Sequence, residues 1–382
     1  MSIHMAPAST LPQPLADTFT RFADAADQVI PAGWQPERIA IIRALYVGDL
    51  LVSVPACRAL RRRFPRSEIT LIGLPWARTF AQHFPRYIDR FVEYAGYPGL
   101  EDIKTTPEKM RRFIAEQRAY GYDLVLQMHG SGRTSNALAR NLGASITVGY
   151  YDPTQREASD LLTLTAPYAL DWHEIYCAMG VAALAGCREF DPALEFPVNV
   201  GDRAEAEALL VGCVTGNRPL IGLHPGSKSP ARRWPASYFA RLADMLVERF
   251  GAQIVLTGGP GEEGTVAEVQ RHMQAKALNC AAQTTIGGLA GLLNRYDLFI
   301  SNDTGPAHLA CALNRPSITL FGPVDVRRWA PLDQSIHRVA RHPVPCSPCS
   351  HWSCPIDHRC LRWITPEHIY TMAAELKEKI YQ

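Results

Sequence analysis

The stretch Ser301-Asn-Asp-Thr-Gly-Pro-Ala-His-Leu309 sets a carboxylate, a hydroxyl, a glycine and a proline between a β-branched run and a short apolar helix. Pro306 suits a first helical turn, where its missing N–H is no loss. Asp303, Thr304 and Gly305 therefore precede a helix N-terminus, whose free amides and dipole attract an anion such as phosphate. Asp303 can also accept from sugar hydroxyls; the plainer alternative is that Asp303 or Thr304 only caps the helix. A second loop, His224-Pro-Gly-Ser-Lys-Ser-Pro-Ala-Arg-Arg-Trp-Pro235, joins a glycine turn and hydroxyls to three cations, Lys228, Arg232 and Arg233. Hydroxyls and amides of this kind cradle the oxygens of a diphosphate while cations offset the charge on a leaving group. Ordinary solvated loop cations are the alternative. A third loop, Leu256-Thr-Gly-Gly-Pro-Gly-Glu-Glu-Gly264, lacks the full G-x-G-x-x-G spacing of a dinucleotide turn, which disfavours a nicotinamide-dependent dehydrogenase. Glu262 or Glu263 can accept from a ribose diol there, or close a plain turn. Asp49, in Arg43-Ala-Leu-Tyr-Val-Gly-Asp49, is a lone carboxylate that either takes a proton from an acceptor hydroxyl or caps the following helix.

Cys346, Cys349, Cys354 and Cys360 follow the spacing C-x2-C-x4-C-x5-C. Four thiols at that density suggest a structural zinc or iron, with reduced, unliganded thiols as the alternative. Cys57, Cys177, Cys187, Cys213, Cys280 and Cys311 stand singly in apolar or mixed segments and are expected as buried thiols.

The elements that must position these groups alternate strand and helix. Strands are expected at Arg38–Arg43, Glu68–Gly73, Tyr122–Met128 and Ala144–Gly149, and a helix over Leu50–Arg63. A second series places strands at Leu220–His224, Gln253–Thr257, Asp297–Ser301 and Ser317–Phe321, with helices over Asp202–Val211, Ser237–Phe250, Pro306–Leu313 and from Pro366 onward. The fold class is therefore α/β with two parallel sheets. Residues 1–35, weakly periodic, form a loosely packed extension; 36–200 a first domain; 201–219 a linker; 220–345 a second domain; and 346–382 the cysteine-rich segment with a terminal helix. The carboxyl ends of such sheets are where ligands bind.

Composition narrows the function. The 382 residues are 47% hydrophobic, ample for two cores. With 39 Lys+Arg against 37 Asp+Glu, the net charge is +2, so no bulk field favours nucleic acid or an anionic membrane. Apolar runs such as Leu289–Leu293 fall far short of the roughly 20 residues that span a bilayer. The N-terminus carries no secretory pattern, which points to the cytoplasm.

Together these segments resemble glycosyltransferase family 9, whose best-known members are the ADP-heptose:lipopolysaccharide heptosyltransferases. The markers are Arg43, Gly48-Asp49 and Pro55; Leu60-Arg61 and Phe64-Pro65; Tyr122-Asp123 with Gly130; His224-Pro-Gly-Ser227; Arg233-Trp-Pro235; Gly258-Gly259; Ser301–Leu309; and Phe321-Gly-Pro323 with Trp329. The resemblance implies a GT-B fold of two facing Rossmann-like domains with an inter-domain cleft, acceptor on the N-terminal domain and nucleotide-sugar on the C-terminal one. It implies inverting transfer that requires no metal, with Asp49 as general base. Ser227, Lys228 and Arg232 match the diphosphate contacts, Arg232 standing where the family usually has lysine. Asp303, Thr304, Gly305 and His308 match the donor-binding turn, and Glu262, or Glu263 by a one-residue shift, the nucleoside contact. Arg43 and Arg133 are the acceptor-side candidates.

The implied function is heptose transfer from ADP-heptose to a lipopolysaccharide core acceptor, by an enzyme that is cytoplasmic and peripheral at the inner membrane. A family-9 transferase acting on a protein or small metabolite, and a catalytically silent nucleotide-sugar-binding module, are the alternatives.

Overall fold

The computed structural model describes residues 11–100, 103–155, 160–211 and 218–381. The chain divides into two units, Met1–Leu194 and Glu195–Gln382. In the first, β1 (Arg38–Ile42), β2 (Glu68–Gly73), β3 (Arg90–Glu93), β4 (Leu124–Gln127), β5 (Ile146–Tyr151) and β6 (Leu164–Pro167) form one sheet in the order β3-β2-β1-β4-β5-β6. Every pairing is parallel. Parallel sheets are covered on both faces, so their inner strands are continuous apolar runs. Ile39, Ala40, Ile41 and Ile42 accordingly have no exposed surface.

The second unit repeats the plan. Its strands are β7 (Leu220–His224), β8 (Gln253–Leu256), β9 (Ala277–Asn279), β10 (Leu298–Asn302), β11 (Ser317–Phe321) and β12 (His337–Arg341), in the order β12-β11-β10-β7-β8-β9. These pairings too are all parallel. Counted within its own unit, each sheet runs 3-2-1-4-5-6, the doubly wound dinucleotide-binding order. The switch points lie between β1 and β4 and between β7 and β10, where successive crossovers leave in opposite directions and open a crevice at the carboxyl ends.

Three features differ from expectation. The helix expected over Leu50–Arg63 is two, Val47–Leu51 and Val54–Arg63. Pro55 has no N–H to donate backward and crowds the residue before it, so it opens a new helix instead of continuing the old one. The N-terminal region is not wholly a loose extension: Gln13–Asp27 is a helix packed on Glu174–Leu184. Its Phe19 meets Trp172 and Phe190 edge-on and is buried, a contribution of roughly 1.5–3 kcal/mol. Residues 1–10 lie outside the described residues. Finally, the helix expected over Asp202–Val211 is present as Val200–Leu210, but it is part of the second unit's packing and not of a linker: it buries Asp202, Ala206 and Leu210 and packs on Ile286–Leu293. The remainder of that linker, from 212 to 217 and with it Cys213, is outside the described residues.

Among the described residues, no helix is long and apolar enough to cross a membrane.

Candidate active site

At the second switch point, Asn302 closes β10 and is fully buried. A buried amide must find partners, and this one bridges the crevice. Its Nδ2 donates to the Pro225 carbonyl (2.8 Å) and its Oδ1 accepts from the Trp234 N–H (3.0 Å), which fixes both ends of the loop after β7. Inside that loop the Arg233 Nε donates to the Ser227 carbonyl at 2.8 Å. Ser227 is buried, whereas Lys228 and Arg232 are exposed. Arg232 rides on the short 3-10 turn Pro230–Arg232 and its guanidinium lies 3.7 Å from the buried Asp303 carboxylate. One of the expected cations, Arg232, and the expected carboxylate, Asp303, thus meet at the carboxyl ends of β7 and β10.

Asp303 leads into Thr304, the cap of the helix Gly305–Ala312. The Thr304 hydroxyl does not cap that helix; it donates at 3.4 Å to the Asn302 carbonyl. The first-turn amides are therefore not satisfied by the cap side chain, which suits an anion at the N-terminus. His308, one turn further, is nearly buried and packs its ring against Trp329 at 5.6 Å.

Of the two glutamates after β8, Glu262 turns inward. Its Oε2 accepts from the Gly259 N–H (2.7 Å) and faces His224 Nε2 (3.3 Å), while His224 Nδ1 shares a hydrogen bond with Thr257. Burial pushes the Glu262 carboxyl up, but the hydrogen bond and charge of His224, the Gly259 amide and the Arg233 charge outweigh it and hold the group below its usual value. Gly226 is required by this contact, since a Cβ there would stand 2.1 Å from Glu262 Oε2. Glu263 is exposed and accepts from Gly261 N–H.

At the first switch point Asp49 sits in the first turn of Val47–Leu51, half-buried. Its Oδ2 accepts from the Tyr46 N–H at 3.3 Å, so the capping geometry is present. Arg43, the residue after β1, is buried, and its guanidinium donates to the carbonyls of Asp49 and of Met128, just beyond β4. Arg43 thus lies beneath the Asp49 loop and ties it to the neighbouring strand end. His129 Nδ1 accepts from Ala44 N–H across the same crevice. Arg133 is largely exposed, 3.5 Å from Asp152. Hydrogen bonds from Thr154, and less so the Arg133 charge, hold the Asp152 carboxyl below its usual range.

The cysteine expectations divide. Cys57, Cys177, Cys187 and Cys280 are buried and Cys311 is half-buried. Burial pushes the Cys57 and Cys187 thiols up to about 12, which keeps them protonated and inert. Cys346, Cys349, Cys354 and Cys360 line one small recess with Ala231, Pro323 and His358. Yet among the described residues no group of three or more His, Cys, Asp or Glu side chains is arranged to hold a metal ion. Cys346 and Cys349 face solvent while Cys360 is buried, and a tetrathiolate needs four sulfurs about 2.3 Å from one point. The expected structural zinc or iron finds no support in this geometry.

Asn302 and His224 were not among the expected site residues. The signal for Asn302 is an amide that ends the apolar run Leu298–Ser301, a position buried in the fold.

Comparison with known proteins fits the geometry. Residues 110–359 match the model of glycosyltransferase family 9 (heptosyltransferase). The chain is 34% identical over 309 residues to lipooligosaccharide heptosyltransferase 2 of Haemophilus influenzae, covering 77% of this chain and 86% of that one. A family 9 glycosyltransferase structure from Veillonella parvula superposes with a TM-score of 0.68 at 26% identity, over 80% of this chain and 85% of that chain. The structure of Escherichia coli ADP-heptose LPS heptosyltransferase II gives 0.71 at 23% identity, over 90% of this chain and all of that one, a likeness of fold. Two doubly wound units of this kind are the Rossmann-like domains of a GT-B glycosyltransferase. The chain belongs to glycosyltransferase family 9.

Proposed function

We propose that the protein transfers heptose from an ADP-heptose donor to a hydroxyl of a lipopolysaccharide core acceptor, with inversion at the anomeric carbon. Asp49 accepts the acceptor's proton as its oxygen forms the new bond to the anomeric carbon. The bond from that carbon to the diphosphate oxygen breaks, and ADP leaves with the electron pair. Arg232, Lys228, Ser227 and the amides at Gly305 take up the growing negative charge, which replaces the need for a bound cation. Asp303 holds the transferred sugar with His308 in the same donor turn, Glu262 meets the nucleoside and Arg133 the acceptor; Arg43, expected on the acceptor side, is instead buried on the Asp49 and Met128 carbonyls and serves the acceptor only by holding the Asp49 loop. Arginine at 232 forks onto two oxygens where lysine would offer a point charge. The acceptor meets the enzyme in the cytoplasm, at the inner membrane surface.

The observation that carries this reading is the ion pair of Arg232 with Asp303, which joins the cationic loop after β7 to the turn after β10 at one switch point. The names of the relatives support the sugar and the acceptor class. The test is incubation with ADP-heptose and lipopolysaccharide truncated before its heptoses, following both ADP release and the mass gained by the acceptor. Transfer of one heptose unit per ADP is expected. Acceptor-independent ADP release, or transfer from a different nucleotide-sugar in preference, would overturn it.

A further inference from the structure

Arg232 stands on a turn only three residues long, with no helix or strand of its own to stiffen it. The cysteine-rich segment holds that turn instead. The Trp352 carbonyl accepts from both the Ala231 N–H (3.1 Å) and the Ser229 hydroxyl (2.8 Å). On the other side of the same residue, in the peptide that leads into Arg232, His358 Nε2 lies 2.6 Å from the Ala231 carbonyl. A carbonyl can only accept, so Nε2 carries the proton and donates. Beyond Arg232, the Trp234 indole N–H donates to the Ile364 carbonyl at 2.9 Å. Both flanks of the cation are therefore pinned to one segment, and Ala231 between them is buried.

The segment is anchored in turn to the loop after β11. Cys349 N–H donates to the Pro323 carbonyl and the Ser347 hydroxyl to the Gly322 carbonyl, both at 2.8 Å. Gly322 has no room for a side chain, since a Cβ would stand 2.7 Å from Leu361. His358 itself adopts φ +58°, the left-handed region that non-glycine residues seldom occupy. Strain of that kind persists where surroundings over-determine a conformation, and here it aims the imidazole at Ala231.

We infer that His358 is a positioning residue of the diphosphate site: with the Trp352 carbonyl it clamps the turn that presents Arg232, so the cysteine-rich segment works as a splint for donor binding. The inference rests on the proposal that Arg232 meets the donor's diphosphate, and the experiment separates the two. ADP binding is titrated calorimetrically to the wild-type protein and to Arg232→Ala, His358→Ala, His358→Gln and Ile356→Ala. Amide hydrogen exchange over residues 229–233 is followed in the same proteins without ligand.

His358→Ala loses one hydrogen bond at the turn and is expected to raise the Kd for ADP about fivefold to tenfold and to speed exchange at Ala231. Glutamine, whose side-chain amide has similar reach, should restore most of both. Ile356, exposed on the same segment and outside the clamp, is the control and should leave the Kd unchanged. A purely structural role for His358 would lower the melting temperature without moving the Kd, and that result overturns the inference, as does unchanged exchange at Ala231. Failure of the wild type to bind ADP, or unimpaired binding by Arg232→Ala, overturns the diphosphate proposal and the positioning role with it.

Discussion

The two switch points solve one geometric problem with opposite chemistry. Each crevice opens between two central parallel strands whose crossovers diverge, and each is bridged by one buried polar side chain at a strand end. In the first unit the bridge is Arg43, a cation reaching from β1 to the Met128 carbonyl and the carbonyl of Asp49. In the second it is Asn302, a neutral amide reaching from β10 to Pro225 and Trp234. Arg43 donates to the backbone carbonyl of Asp49 and so fixes the loop that carries that carboxylate, whereas Asn302 fixes the loop that carries the exposed cations Lys228 and Arg232. One strand order therefore presents a carboxylate-bearing loop at one switch point and a cation-bearing loop at the other.

That contrast can be broken most directly at Asp49. Asp49→Ala should lower transfer by about 10²- to 10⁴-fold, the range of a lost general base, while the Kd for ADP stays within twofold. Normal turnover by this variant would remove the first crevice from the chemistry.

The bridges come next. Asn302→Ala leaves the Trp234 N–H and Pro225 carbonyl buried without this partner, at about 1–3 kcal/mol for each group in urea unfolding, and it should weaken ADP binding. Arg43→Met should cost about 1–3 kcal/mol for its released carbonyls and slow transfer through a displaced Asp49, yet leave ADP binding intact. If both variants affect ADP binding equally, the division of labour between the crevices is wrong.

The smallest effect is electrostatic. The Glu262 carboxyl is held below its usual 4.5 in the folded protein by His224, Gly259 and Arg233, despite burial. A depressed carboxylate contributes stability that is complete above its unfolded pKa and is lost as pH falls through the folded value. Urea midpoints of the wild type should therefore drop as pH falls below 4.5, and Glu262→Gln should flatten that limb. A parallel decline in both proteins would show that Glu262 takes no part.

How much of this was legible in the sequence follows from burial. Strands β2, β7 and β11 run between the residues expected, and β1, β4, β5, β8 and β10 within a residue or two, because a strand covered on both faces must be apolar throughout. The four strands missed, β3, β6, β9 and β12, are the two edges of each sheet. Edge strands are paired on one side only and can be short and polar: Ala277–Asn279 has three residues, none fully buried, and Leu164–Pro167 ends in a proline that an interior strand would not tolerate. The loop residues of the site were legible for a related reason. Gly226, Asp303 and Pro306 are types that the end of a strand and the start of a helix demand.

The sequence by itself determined the two parallel α/β units, the central strands and the loops that carry Asp49, Arg232, Glu262 and Asp303, since these are properties of local pattern and residue type. Only the tertiary structure decided what each polar group is bonded to. Arg43 is 85 residues from Met128, Asn302 is 77 from Pro225, and His358 is 127 from Ala231. No local spacing encodes such pairs, because it is the sheet order and the crossovers that bring those backbone carbonyls within reach. Whether a cation is buried on backbone carbonyls, as Arg43 is, or left exposed, as Arg232 is, and whether four cysteines share a recess without forming a ligand set, is decided by that packing.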